Sequence, residues 1–97
     1  MPSESTLQSF IVKLCGKYGV LCYKFSSPSR RGVPDLLLLC DGRLLFIEVK
    51  NPNGKGRLSA LQEIEIGRLS RNGFAVEVID SKEDAAATVS AFAGQPT

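Results

Sequence analysis

Leu7, Phe10, Ile11, Leu14, Cys15 and Tyr18 recur at the three- and four-residue spacing of a single helix face. Ser3 supplies an N-cap ahead of them and Gly19 a stop, so the chain is predicted to open with an amphipathic helix. Residues 20–25 are β-branched and aromatic enough for a strand, and Ser26 to Gly32 form a polar loop. Two apolar runs, residues 35–40 and 43–50, flank Asp41-Gly42, a dipeptide that tolerates positive φ and so signals a two-residue hairpin. Residues 51–56 break the second run. Ser59 with Gln62 three positions on has the form of a capping box, opening a helix predicted to end near Gly73. Residues 74–79 return to the strand pattern, and Asp80 or Ser81 can cap a last helix through Val89 and Phe92, with Gly94 to Thr97 as a frayed tail. The order α-β-β-β-α-β-α, without repeats or linkers, predicts one α/β domain over residues 1–97, a small mixed sheet with helices against it.

Composition narrows the chemistry. A chain of 97 residues with 43% hydrophobic and 23% charged residues is ordinary globular material. Histidine is absent, which removes Ser-His-Asp triads and two-histidine metal sites, so chemistry falls to carboxylates, lysines or cysteines. Cys15, Cys22 and Cys40 are odd in number, lack CxxC spacing and sit among apolar neighbours; they read as reduced core thiols, and the cytoplasm is the expected compartment. No leader pattern and no apolar run of membrane-spanning length is visible. Net charge is +2, but Lys13, Lys17, Lys24, Arg30 and Arg31 oppose Glu4 alone in the first third, whereas Lys82 faces Glu77, Asp80, Glu83 and Asp84 near the end. That asymmetry fits a polyanion-binding surface or merely solvated faces.

Pairing across the Asp41-Gly42 turn sets the register of the two central strands and places Asp35 opposite Glu48, with Lys50 on the same sheet face. Opposed carboxylates repel unless a cation lies between them, and two carboxylates with carbonyls and waters form an oxygen-rich site suited to Mg2+ or Mn2+. Val49 should point to the other face and offer its backbone carbonyl, while Lys50 neutralises charge on a phosphate or assists deprotonation of water. The alternative is a cap at Asp35 with a Glu48–Lys50 pair on a solvated edge. Gly54-Lys55-Gly56 lacks the spacing of a nucleotide-binding loop, so no nucleotide cofactor is expected.

Pro34-Asp35 followed by Glu48-Val49-Lys50 resembles the PD-(D/E)xK nuclease signature, whose restriction-endonuclease-like core has the αβββαβ order predicted here, extended in this chain by a C-terminal helix. With Gly32-Val33 before it, Leu58-Ser59 and Gln62 after it, and Gly73 closing the second helix, the chain is similar to the VRR-NUC (virus-type replication-repair nuclease) domain from Glu4 to about Phe92. The resemblance implies that a glutamate on the first helix, here Glu4, completes the metal site; its position three before Leu7 and seven before Ile11 extends the buried face toward the sheet. The competing role for Glu4 is a helix-end acid favoured by the macrodipole. Gln62 matches a family glutamine near the active site, or is simply the capping-box partner of Ser59.

The resemblance further implies a Mg2+- or Mn2+-dependent DNA endonuclease that leaves 5′-phosphate ends. Standalone phage-type members look like homodimeric four-way-junction (Holliday junction) resolvases, the expected activity in a bacterial or phage-infected cell. A nicking or restriction-like nuclease and a non-catalytic nucleic-acid-binding module are the alternatives. Lys24, Arg30, Arg31, Lys55 and Arg57 flank the site and are expected to grip backbone phosphates without reading sequence. Leu36, Leu38, Leu45 and Ile47 on the face opposite the site, with Val89 and Phe92 on the last helix, are the apolar supply shared between the core and a two-fold interface.

Overall fold

Ser3 turns the chain into its first helix by accepting the Thr6 N–H on its Oγ at 3.1 Å, and Gly19 ends that helix in the left-handed region at φ 73°. The structure is a computed structural model and describes residues 3–52 and 57–94. Helix α1 (Glu4–Tyr18) leads into strand β1 (Leu21–Lys24), followed by β2 (Leu36–Cys40), β3 (Arg43–Val49), helix α2 (Ala60–Arg71), β4 (Ala75–Ile79) and helix α3 (Lys82–Gly94). The anticipated element order holds, and Gly94 belongs to α3; the rest of the expected frayed tail lies outside the described residues.

The sheet runs β1-β2-β3-β4, antiparallel across the first two pairs and parallel between β3 and β4, with α2 as the crossover. Asp41 (φ 49°) and Gly42 (φ 77°) both adopt the positive φ of a type I′ turn. The register that follows pairs Leu36 with Ile47 and Cys40 with Arg43, as the turn requires.

Alternation along the strands divides the apolar residues. Leu36, Leu38, Leu45, Ile47 and Val49 point to one face and pack with Leu7, Ile11 and Cys15 of α1 and Ala85 and Val89 of α3. Phe92 is half-buried against that cluster. Leu36, Leu38, Leu45, Ile47 and Val89, expected to be shared with a partner, are therefore consumed by the domain's own core. On the other face, Phe46 contacts Phe25 and Phe74 at ring-centroid distances of 5.7 and 6.3 Å. Among the described residues one 12-residue helix, α2, serves that side, and Leu21, Tyr23, Phe74 and Val78 stay substantially exposed.

All three cysteines are free: Cys15 is buried, and Cys22 and Cys40 are half-buried against the core. A hydrogen bond between Cys15 and Cys22, with burial, pushes the Cys15 thiol up, while the same bond lowers Cys22. No helix among the described residues is long and apolar enough to cross a membrane.

Candidate active site

Asp35 sits where the β2–β3 ladder ends. Its N–H donates to the Ile47 carbonyl at 2.9 Å and its carbonyl accepts from the Phe25 N–H at 2.9 Å, so both neighbouring segments hold its backbone. Its Oδ2 accepts the Val49 N–H at 2.7 Å, taking the donor that a further rung of the ladder would have used. The ladder ends at the Leu36–Ile47 rung, one position short of Asp35 and Glu48; the charge of Asp35 still reaches the Glu48 carboxyl, and the Val49 side chain is buried in the core behind. Only the backbone of Val49 faces this site.

Glu48 is 1% exposed. Its Oε2 accepts the Gln62 Nε2–H at 2.9 Å and lies 3.7 Å from Lys50 Nζ, whereas Oε1 is buried without a hydrogen-bond partner. Burial first, then the charge of Asp35, raise the Glu48 carboxyl to about 7 against the opposing pull of Lys50. A carboxyl with one orphaned oxygen and a second carboxyl beside it is a place where a cation removes a cost already present in the fold.

Gln62 joins the helix cap to this pair. Its Oε1 accepts from the Ser59 N–H at 2.9 Å and from Lys50 Nζ at 2.7 Å, while the Ser59 Oγ accepts the Gln62 N–H at 3.1 Å. The capping box and the contact with the charged pair are thus two uses of one side chain, not alternatives.

Glu4 departs from its expected placement. It is exposed, and the described residues contain no group of three or more acidic or cysteine side chains placed to hold a metal ion, so it does not join Asp35 and Glu48 in one cluster. Being the first residue of α1, it has no preceding turn to cover it, and the wheel that buries Leu7 and Ile11 does not extend to the helix end.

Among the basic residues, Lys24 ends β1 and pairs with Leu36, next to Asp35, and is exposed, as are Arg31 and Arg57. Arg30 donates from Nη1 to Glu65 Oε1 at 3.2 Å, and Arg68 donates to the same oxygen at 3.0 Å. Lys55 lies outside the described residues. Glu65, at 6% exposure the buried residue of α2, went unnoticed in the sequence; an acid set between Ile64 and Ile66, with Arg68 three positions on, was the available signal.

Residues 4–83 match the sequence profile of the VRR-NUC domain. The chain belongs to the VRR-NUC domain family. It is 40% identical over 81 residues to "Putative nuclease p44" of Acyrthosiphon pisum secondary endosymbiont phage 1, an alignment covering 82% of this chain and 85% of that protein. A solved structure described as a VRR_NUC domain superposes with a TM-score of 0.80 at 28% identity, covering 89% of this chain and 92% of the other. The match spans α1 through the start of α3 and includes Asp35, Glu48, Lys50 and Gln62, so this VRR-NUC chain is of the nuclease class.

Proposed function

We propose that this VRR-NUC domain is a Mg2+- or Mn2+-dependent DNA endonuclease acting on branched, preferentially four-way, DNA as a homodimer. The observation that carries the metal-dependent reading is the buried Glu48 carboxyl, opposite Asp35, with Oε1 unpartnered and a raised titration. Asp35, Glu48 and the Val49 carbonyl would hold the ion, with Glu4 reaching it through water. A divalent cation there supplies charge neutralisation at the scissile phosphate.

The chain's own groups do the rest. Lys50 Nζ, fixed by Gln62, stands 3.7 Å from Glu48 Oε2, within reach of a phosphate oxygen or an attacking water at the same carboxylate. Water oxygen forms the new bond to phosphorus, the bond to the 3′ oxygen breaks, and a proton passes to that oxygen, leaving 3′-hydroxyl and 5′-phosphate ends. Exposed Lys24, Arg31 and Arg57, together with Lys55 and the partly exposed Arg30, would hold the backbone phosphates on either side.

A symmetric dimer supplies the two cuts that a four-way junction needs. Its surface is drawn from the exposed apolar residues Leu21, Tyr23, Phe74, Leu61 and Ile64 on the α2 side.

Labelled four-way junction, flap, single-stranded and linear duplex DNA, each with Mg2+, Mn2+ or EDTA, test the reading. Metal-dependent paired cuts in the junction support it. Cleavage unaffected by EDTA would remove the metal, and equal nicking of every branched substrate would remove the junction preference.

A further inference from the structure

Glu48 rides on β3 with Asp35 and Lys50 at the adjoining strand ends, whereas Gln62 rides on α2, so the site depends on how far that helix stands from the strands. The segment between β1 and β2 touches α2 at two places. Gly32 lies so close to the Leu61-Gln62 peptide that a β-carbon there would stand 2.6 Å from both the carbonyl carbon and oxygen of Leu61 and 2.9 Å from the Gln62 nitrogen. These are backbone atoms of a helix, and they cannot swing aside as a side chain can. Gly32 also has φ +84°, a conformation that residues with a β-carbon rarely adopt. The second contact is Arg30 Nη1 with the buried Glu65 carboxylate, one turn along α2 from Leu61.

Gln62 stands at the receiving end. Its Oε1 is engaged by the Ser59 N–H within the capping box and by Lys50 Nζ, which leaves Nε2 as the end that faces Glu48. The 2.7 and 2.9 Å bonds to Lys50 and Glu48 tolerate little movement. A retreat of α2 by roughly 1 Å, enough to relieve a 2.6 Å collision, would stretch both beyond hydrogen-bond length.

We propose that Gly32 is a positioning residue of this site: its bare backbone lets the loop before Asp35 seat against the first turn of α2, holding the Gln62 amide between Lys50 and Glu48. The catalytic consequence rests on the nuclease reading above; the geometric claim does not.

Nitrogen-15 NMR of the metal-free protein reads the Gln62 side-chain amide without DNA or turnover. In the wild type this amide should give separated proton signals slow to exchange with water. Gly32→Ala should move them to the position and exchange rate of an unstructured glutamine while the strand signals persist. Gly19→Ala is the matched control, since Gly19 has φ +73° with nothing within 4 Å of its missing β-carbon. It carries the backbone strain without the collision and should leave the Gln62 signals in place.

In cleavage assays Gly32→Ala should lower kcat by about 10- to 100-fold with KM for DNA nearly unchanged. Adding it to Gln62→Leu should cost nothing further, because both act through one contact. If Gly32→Ala does not fold, Glu65→Gln loosens the other anchor without straining the backbone and should shift the same signals in the same direction. Unmoved Gln62 signals in folded Gly32→Ala, or in Glu65→Gln where that variant must decide, overturn the proposal. A chain that cuts no DNA yet shows the Gln62 response sinks the nuclease reading and leaves the positioning role standing.

Discussion

Asp35 accepts the Val49 N–H at 2.7 Å just beyond the Leu36–Ile47 rung that ends the ladder, so the residue between Glu48 and Lys50 pins the neighbouring carboxylate by its backbone. The pair sits at the open end of the hairpin, with the Asp35 backbone held by bonds to Ile47 and Phe25. Rigid presentation of this kind suits chemistry in which the protein contributes chiefly position and charge. It also holds two acids together at a cost to the empty protein.

That cost is open to measurement. Asp35→Asn and Glu48→Gln should each reduce cleavage by roughly 100-fold or more, the scale of losing a group that stabilises transition-state charge. In EDTA at pH 8 the same variants should melt at or above the wild-type temperature, since the repulsion is gone and the amide introduced by the second substitution can still accept from Gln62. Thermal unfolding followed by circular dichroism checks this; a marked drop in melting temperature for both would show the pair to be structurally favourable.

The Glu48 titration predicts a pH dependence of stability with a definite sign. Its carboxyl is raised from 4.5 to about 7 in the fold, so between those values the native state holds a proton that the unfolded chain has released. Stability from this group is therefore full below about 4.5 and is lost as pH climbs through 7, by an amount on the order of 3 kcal/mol at most. Denaturant unfolding of the metal-free protein at pH 5.5 and 8 should show the fall, and Glu48→Gln should flatten it.

Glu4 provides a test of the metal-ligand role that its exposure leaves open. Glu4→Gln should weaken the dependence of cleavage on metal concentration more than Glu63→Gln, an exposed acid of α2 and a control of equal charge. Equal responses would assign Glu4 to the helix macrodipole alone.

The dimer surface gives another expectation. Light scattering at micromolar concentration should report twice the 10.5 kDa chain mass. Combining Tyr23→Glu with Phe74→Glu should return the single mass and replace paired cuts with independent nicks. A wild-type monomer would end the symmetric-resolvase reading.

How much of this was legible in the sequence depends on the reach of each signal. Asp41-Gly42 specified its turn, and the turn specified the register of β2 on β3 as far as Leu36–Ile47, because a two-residue hairpin is a local object whose backbone conformation its own residues decide. Ser59 and Gln62 announced the capping box for the same reason, and the family resemblance put Gln62 within reach of Lys50, though not that one side chain would close the capping box and hold Lys50 and Glu48 together. The Arg30–Glu65 contact joins residues 35 positions apart, and no local pattern encodes it. Alternation correctly grouped Leu36, Leu38, Leu45 and Ile47 on one face but did not say that α1 and α3 would both cover that face. Glu4 followed a helical wheel past the point where the helix has a turn to bury it.

The most direct test of the central claim is Mn2+ binding by electron paramagnetic resonance, without DNA, at pH 8, where Glu48 is mostly ionised. The wild-type chain should deplete the free-ion signal at a saturable site, and Asp35→Asn and Glu48→Gln should each weaken that site by at least about tenfold. Unchanged Mn2+ binding in both variants would contradict the assignment of this carboxylate pair as the metal centre.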